Sequence, residues 1–216
     1  MFLVFTVNPL FSVDFNFTAK VNEYRNERGL TSLFIEENLN RTAEKYAQVL
    51  IEEGKISHID KSGRRVLQRY YDEGGTAVMA GEILGTAKNL NEIFTAWKNS
   101  ETHNRLLLDP KWNRIGFSFL EKNGVYVGVM LFSTSLIDGY TIIAAEDLIH
   151  VQITSIDRDR NLHFPKEYSK ISTYTYEMIL KHDELPLLLP VSYDFEGTKK
   201  ISDFLYIPDL LLNETH

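Results

Sequence analysis

The chain has 216 residues, of which 44% are hydrophobic, enough for one large domain or for a domain of about 140 residues with a smaller companion. It contains no cysteine, so disulfide frameworks, thiolate metal sites and a cysteine nucleophile are excluded. Residues 1–137 carry 16 acidic and 16 basic side chains, whereas residues 138–216 carry 14 acidic and seven basic ones and hold the whole net charge of −7. The chain has no lysine- or arginine-rich stripe, which argues against nucleic acid as a partner.

Residues 1–16 are mostly apolar, and two interpretations of them are open. They lack the positive start of a signal peptide, since the first cation is Lys20, but they could be the remnant of a trimmed or mis-started export signal. They could also form an N-terminal strand or arm that packs on the domain. No apolar run reaches the roughly 18 residues that a membrane span needs, so we expect no transmembrane segment.

Helical periodicity dominates residues 17–110. A first helix is predicted from Phe17 to Gly29. A second, ending at Gly54, is indicated by the clearest apolar stripe in the chain: Leu39, Ala43, Tyr46, Ala47, Leu50 and Ile51. Further helices are predicted over 62–75 and 89–100, with Ile93, Phe94 and Trp97 inward and Asn89 or Asn91 as N-cap. A short helix follows and stops before Pro110.

The rest of the chain is predicted to be β-rich. Two strands flank Asn123-Gly124, the strongest short turn signal, and the second is apolar on both faces. A strand of that kind is covered on both sides, which favours an α+β fold with a sheet between helical layers. Five short β-rich segments after Gly139 indicate that residues 138–216 form a small, mostly β module or a β extension of the first domain.

Three residues near the ends of predicted elements could carry chemistry: His58, Glu82 and His103. Two imidazoles and a carboxylate could bind a divalent ion such as zinc, or could form a histidine with an orienting carboxylate for proton transfer. Their spacings match no local metal signature. Each histidine, taken alone, is also explained as a structural residue with a satisfied hydrogen bond.

Five motifs, in this order, carry a resemblance: "SH" at 57–58, "AGEIL" at 80–84, "AWKNSETH" at 96–103, "LLLDP" at 106–110 and "RIGFSF" at 114–119. They resemble the CAP superfamily (cysteine-rich secretory, antigen 5 and pathogenesis-related-1 proteins), and its cysteine-free bacterial branch in particular. The resemblance covers roughly Phe17 to Phe132. It implies an α-β-α sandwich of CAP type over 17–137, with 1–16 as an arm or signal remnant and 138–216 outside the family domain.

The resemblance also implies a binding cleft. In this family, a central cleft presents two histidines and two acidic residues, which bind a divalent metal in some members. The matching positions here are His58, Glu82 and His103, while the second acid of animal members is replaced by Ser100. Such a set implies at most a weakly held zinc ion, and Glu73 and Glu101 are candidates for the missing acid. We also predict that the hydroxyl of Ser100 N-caps the short helix that follows.

These observations lead to a first hypothesis: an extracellular or cell-envelope protein that binds a protein or a small apolar or lipid ligand through its His/Glu cleft, without established catalysis. The alternative is a metal-assisted, protease-like hydrolase that uses the same cleft, although no Ser-His-Asp arrangement or HExxH-type helix is evident. A third possibility is a structural module whose histidines bond only to the backbone. The acidic β-rich tail favours a partner-binding role.

Overall fold

The computed structural model describes residues 9–144, 148–156 and 160–207, with side chains from Phe17 onward except that of residue 182. These residues form two compact units. The first unit continues to Gly75 and resumes at Ala80–Ser133, and the second consists of Thr76–Met79 and the residues from Thr134 onward. The division therefore comes after Ser133 rather than after residue 137. A short segment of the first half joins the second unit, which no sequence pattern indicated.

The described part of the first unit contains the helices α1 (Pro9–Asn26), α2 (Glu37–Glu53), α3 (Val66–Asp72), α4 (Leu90–Asn99) and α5 (Glu101–Leu107). The predicted stripe of α2 is confirmed, with all of its members buried except the partly exposed Ile51. Gly54 ends α2 in the left-handed conformation, with φ of 63°. Asn89 caps α4, because its side-chain oxygen accepts a hydrogen bond from the Glu92 amide at 3.0 Å.

The helices surround one sheet with the strands β1 (Phe34–Ile35), β2 (Ala80–Ala87), β3 (Arg114–Lys122) and β4 (Val125–Ser133). The strand order is β1-β3-β4-β2, and every pair is antiparallel except β1 with β3. The predicted hairpin of β3 and β4 turns at Asn123 and Gly124, with φ of 56° and 78°. Two successive positive φ angles are typical of the type I′ turn that this dipeptide favours. The strand β2 was not predicted, because "AGEILGTA" has too weak an alternation.

Glycines show which helices cover each face of this sheet. A Cβ atom on Gly116 of β3 would lie 2.4 Å from the Cβ of Leu39, so α2 packs directly on the sheet backbone there. On the opposite face, a Cβ on Gly81 would lie 3.2 Å from Leu106 of α5, and one on Gly85 would lie 2.7 Å from Trp97 of α4. The predicted α-β-α sandwich is therefore confirmed.

The second unit contains the strands β5 (Ile137–Ala144), β6 (Leu148–Ser155), β7 (Leu162–His163), β8 (Ser169–Lys170), β9 (Thr175–Lys181), β10 (Leu187–Phe195) and β11 (Thr198–Ile207). They form one sheet in the order β5-β6-β9-β8 and another in the order β11-β10-β7. Inward residues of both sheets share one hydrophobic cluster, for example Val151, Met178 and Leu205. The described strands of this unit therefore form two sheets around a shared core. The alternative that they extend the first sheet is wrong, because the described strands pair within the module.

Two further expectations differ from the structure. Residues 9–16 belong to the backbone of α1, so that part of the predicted arm is helical rather than a strand, while residues 1–8 lie outside the described part. The segment Thr76–Met79 pairs with β11 through the hydrogen bonds Val78 N to Ser202 O at 3.0 Å and Phe204 N to Thr76 O at 2.7 Å. These non-local bonds assign the segment to the second unit.

Candidate functional site

His58 and Glu82 form a hydrogen-bonded pair in the first unit. Glu82 lies on β2 between Gly81 and the apolar residues that follow, and its side chain is only 3% exposed. His58 lies in the loop after α2 with 55% of its side chain exposed, and its Nδ1 is 2.7 Å from the Glu82 Oε1. Because a carboxylate accepts hydrogen bonds, it favours the imidazole form with a proton on Nδ1. In the neutral ring, Nε2 is then the acceptor.

Arg69 of α3 holds the other oxygen of the same carboxylate. Its Nη2 donates to the Glu82 Oε2 at 2.5 Å, and its Nη1 donates to the Arg64 carbonyl oxygen at 2.7 Å. The guanidinium carbon stands 3.5 Å from the ring centroid of Tyr46 on α2, which adds a cation–π contact. Arg69 is 6% exposed, so the positive charge is buried and compensates that of Glu82.

The sequence reasoning missed Arg69. A buried carboxylate needs a cation or hydrogen-bond donors beside it, so the position of Glu82 in an apolar segment indicated that such a partner exists. The neighbouring segment, however, has arginines at 64, 65 and 69, and the short pattern of α3 does not show which one points inward. Tyr46 was predicted as an apolar core residue, and it is one, but its hydroxyl also donates to the Ser57 carbonyl oxygen at 2.5 Å and so fixes the loop before His58.

His103 lies on α5 and is half-buried. Within the described part of the chain, its imidazole makes no hydrogen bond or ion pair, so its nitrogens are open to a ligand. Burial lowers the pKa of His103, and the charge of His58 lowers it further. The two imidazoles are therefore close enough to influence each other electrostatically.

Ser100 occupies the N-cap position of α5, as predicted, but its hydroxyl makes no capping hydrogen bond. That part of the prediction is wrong. The residue joins two helices directly: its N–H donates to the Ala96 carbonyl oxygen at 3.0 Å, and its own carbonyl accepts from the Asn104 amide at 2.8 Å. The backbone of Ser100 thus takes part in a hydrogen bond at the end of α4 and in another at the start of α5.

The donor set does not fit a three-ligand metal site in this arrangement. Both oxygens of Glu82 are engaged, one by His58 and one by Arg69. Among the described residues, no group of three or more histidine or acidic side chains could hold a metal ion. Zinc binding by His58, Glu82 and His103 stays a prediction.

The two candidate replacement acids do not complete the site. The carboxylate of Glu73 is paired with Lys45, whose Nζ is 2.7 Å away. Glu101 is an exposed residue of the first turn of α5. Glu73 is thus engaged in an ion pair although its side chain is 12% exposed, and Glu101 faces solvent.

Comparison with known families places this arrangement in context. The profile of CAP, the cysteine-rich secretory protein family, matches residues 18–133. The match ends at Ser133, where the first unit ends. Among the described helices, none is long and apolar enough to cross a membrane.

Individual relatives agree with that match. An uncharacterized protein of Borreliella burgdorferi is 28% identical over 115 residues, which are 53% of this chain and 74% of the relative. A solved outer surface protein from Borrelia burgdorferi is 28% identical, with a TM-score of 0.51, over 54% of this chain and 87% of that one. An extracellular protein with an SCP domain from Bacillus anthracis has the same fold, with 16% identity and a TM-score of 0.50, over 60% of this chain and 44% of that one.

Proposed function

Since the chain belongs to CAP, the cysteine-rich secretory protein family, we propose that it acts outside the cytoplasm by binding a ligand or partner through the cleft of His58, Glu82 and His103. The protein is secreted or attached to the cell envelope. Its relatives support this location, since one is described as an outer surface protein and another as an extracellular protein.

The observation that carries the proposal is the fixed orientation of His58. Its Nδ1 is bound to Glu82, and the second oxygen of Glu82 is bound to the buried Arg69. An imidazole anchored in this way loses little conformational entropy when its exposed Nε2 bonds to a ligand. The anchored ring with an open acceptor is therefore a preorganised contact point for a hydrogen-bond donor.

The surroundings of His58 favour a ligand with an apolar part. Ile56 and Ile59 flank it in the same loop and are 42% and 41% exposed. Two exposed isoleucines beside an oriented polar group match an amphipathic ligand, whose polar end bonds to His58 while its apolar part covers the isoleucines.

Binding explains the arrangement better than hydrolysis does. Neither His58 nor His103 bonds to a serine, threonine or other nucleophile in the described part of the chain, and Glu82 is engaged by Arg69. A general base needs a nucleophile or a metal-bound water within reach.

The proposal is tested on natively purified protein, by elemental analysis and by mass spectrometry of bound lipids and small molecules. The expected result is an organic species that accompanies the wild type and is lost from His58→Ala and from His103→Ala. His150→Ala, a histidine of β6 in the second unit, is the matched control and should retain it. Retention of the species by both cleft variants would overturn the proposal, as would an activity that zinc restores and that needs both histidines.

A further inference from the structure

One sheet of the second unit has an open edge along a whole strand. β5 is the outermost strand of the sheet β5-β6-β9-β8, and among the described residues no other strand pairs with its outer side. Residues 138–144 are exposed, except for the half-buried Ile142. Proteins usually protect such an edge with charged side chains, proline or a bulge, because its backbone groups can bond to another strand. From Gly139 to Ala144 the strand has no charge and no proline, and its bulge lies before this stretch.

The hydrogen bonds at the end of β6 show which backbone groups of β5 reach this edge. The Ser155 amide donates towards β9, to the Tyr174 carbonyl oxygen at 2.7 Å, and the Ile156 amide donates towards β5, to the Leu136 carbonyl oxygen at 3.1 Å. Because backbone groups alternate in direction along a strand, the even-numbered residues of β6 bond to the odd-numbered residues of β5 that lie opposite them. The N–H and C=O groups of three residues therefore point to the open edge: Tyr140, Ile142 and Ala144.

The hydrophobic core of the second unit reaches solvent at the same edge. Tyr140 and Ile142 lie opposite Ile153 and Val151 of β6, which are fully buried, so these side chains share the core-facing side of the sheet. Tyr140 is nevertheless 40% exposed, and Ile142 is only partly buried against the core cluster. A strand added at this edge would cover both side chains and would bond to the backbone groups beside them.

We propose that two copies of this chain pair through β5, as antiparallel strands related by a two-fold axis at Thr141. In this register Tyr140 faces Ile142 of the second copy on the core-facing side, and Thr141 faces its own equivalent on the other side. Aromatic residues opposite β-branched ones, and threonine opposite threonine, are cross-strand pairs that stabilise sheets. Ile143 lies opposite Gly139, which leaves room for it. The interface is closed and uses the same surface of both copies.

The charges of the second unit favour a second copy at this strand. Residues 138–216 carry 14 acidic and seven basic side chains, so two copies of this region repel each other over most of their surface. The stretch from Gly139 to Ala144 carries no charge, and Asp138 comes opposite Ala144 rather than opposite another acid. Like charges directly opposite each other, which destabilise a strand pair, are therefore avoided.

The pairing should be weak and reversible. One pair of short strands covers less than the roughly 1,200 Å² that a stable interface needs, so we expect a dissociation constant in the micromolar to millimolar range. The pairing goes beyond the proposed function, since β5 lies outside residues 18–133, which match the family, and shares no residue with the cleft.

The experiment measures the mass of the full chain by sedimentation velocity over micromolar to millimolar concentrations, and the expected result is a shift from monomer to dimer. Thr141→Lys and Thr141→Glu each place like charges opposite each other at the two-fold axis. Each should weaken the dimer by at least about tenfold. An equimolar mixture of the two variants should restore dimerisation, because opposite charges then meet at the axis.

Two further variants separate the edge from the rest of the sheet. Thr154→Lys adds the same charge at an exposed threonine on the same face, but on β6, and should leave dimerisation unchanged. Tyr140→Pro removes a backbone donor from the open edge and should abolish the dimer. Amide spectra check that each variant is folded. The proposal is overturned if the wild type stays monomeric throughout, if Thr141→Lys dimerises like the wild type or no worse than Thr154→Lys, or if mixing the two charged variants restores nothing.

Discussion

The Arg69–Glu82 pair gives the sharpest test of how the first unit is held together. The two side chains are 6% and 3% exposed and meet at 2.5 Å. Removing one partner of a buried ion pair leaves the other charge uncompensated and costs about 3–5 kcal/mol. We therefore expect Arg69→Met and Glu82→Gln each to lower the free energy of unfolding by about 4 kcal/mol.

The double variant decides whether charge is the cause. If each single substitution is costly because it leaves the opposite charge buried without a partner, the double variant does not pay this cost twice. It should therefore lose about as much stability as one single variant. The coupling energy would then be about 4 kcal/mol, somewhat above the roughly 3 kcal/mol upper value for contacting residues. If the loss came only from packing, the two effects would add.

The assay is urea unfolding followed by tryptophan fluorescence. Both tryptophans, Trp97 and Trp112, are buried in the first unit, so the signal reports on that unit alone. The pair Arg64–Asp72 serves as the control, since its atoms are 2.7 Å apart but both side chains are about half exposed. It should show little coupling. Additive losses at Arg69 and Glu82, or a similar coupling in the control, would refute the reasoning.

Three further changes are informative. Gly116→Ala should destabilise the first unit by about 3 kcal/mol in urea unfolding, since the new Cβ would lie 2.4 Å from α2, while Gly139→Ala, which has open space, should be tolerated. Asp203→Ala should destabilise the second unit by at least about 2 kcal/mol, because the buried carboxylate accepts three hydrogen bonds. The loss is measured as faster amide hydrogen exchange in β11. Unchanged exchange, or an equal loss of stability in Asp194→Ala at an exposed carboxylate, would contradict this. Because the pKa of His103 is lowered in the folded protein, the unfolded chain binds more protons than the folded one just below pH 6.5. The free energy of unfolding should therefore fall as the pH falls through that value. His103→Asn should make this pH dependence weaker in urea unfolding, and an unchanged pH dependence would contradict the prediction.

The buried Asp203 shows a second feature that no sequence pattern indicated. It receives hydrogen bonds from the hydroxyls of Thr76 and Ser135, at 2.7 and 2.6 Å, and from the Leu136 amide at 3.0 Å. Burial raises the pKa of Asp203, and these hydrogen bonds oppose the rise. The residues are up to 127 positions apart, so only the folded chain shows that one carboxylate joins three segments of the second unit.

Local physics was sufficient to predict most elements of the fold from the sequence. The stripe from Leu39 to Leu50 determines the inward face of α2, and Asn123-Gly124 determines the β3–β4 turn, because periodicity and turn chemistry act between near neighbours. The apolar residues on both faces of β4 were enough to indicate that other elements pack on both faces of the sheet. The apolar segment around Glu82 made its carboxylate conspicuous, but only the resemblance to the CAP family implied that it lies beside His58.

The tertiary structure alone decided what that carboxylate does. Its partner Arg69 is one of three arginines between residues 64 and 69, and the direction of the Glu82 side chain depends on the alternation of β2, a strand too weakly patterned to be predicted. The same applies to Thr76–Met79, which pairs with a strand more than a hundred residues later. Burial and non-local hydrogen bonds select one partner among chemically equivalent candidates, and that selection depends on distance in space rather than along the chain.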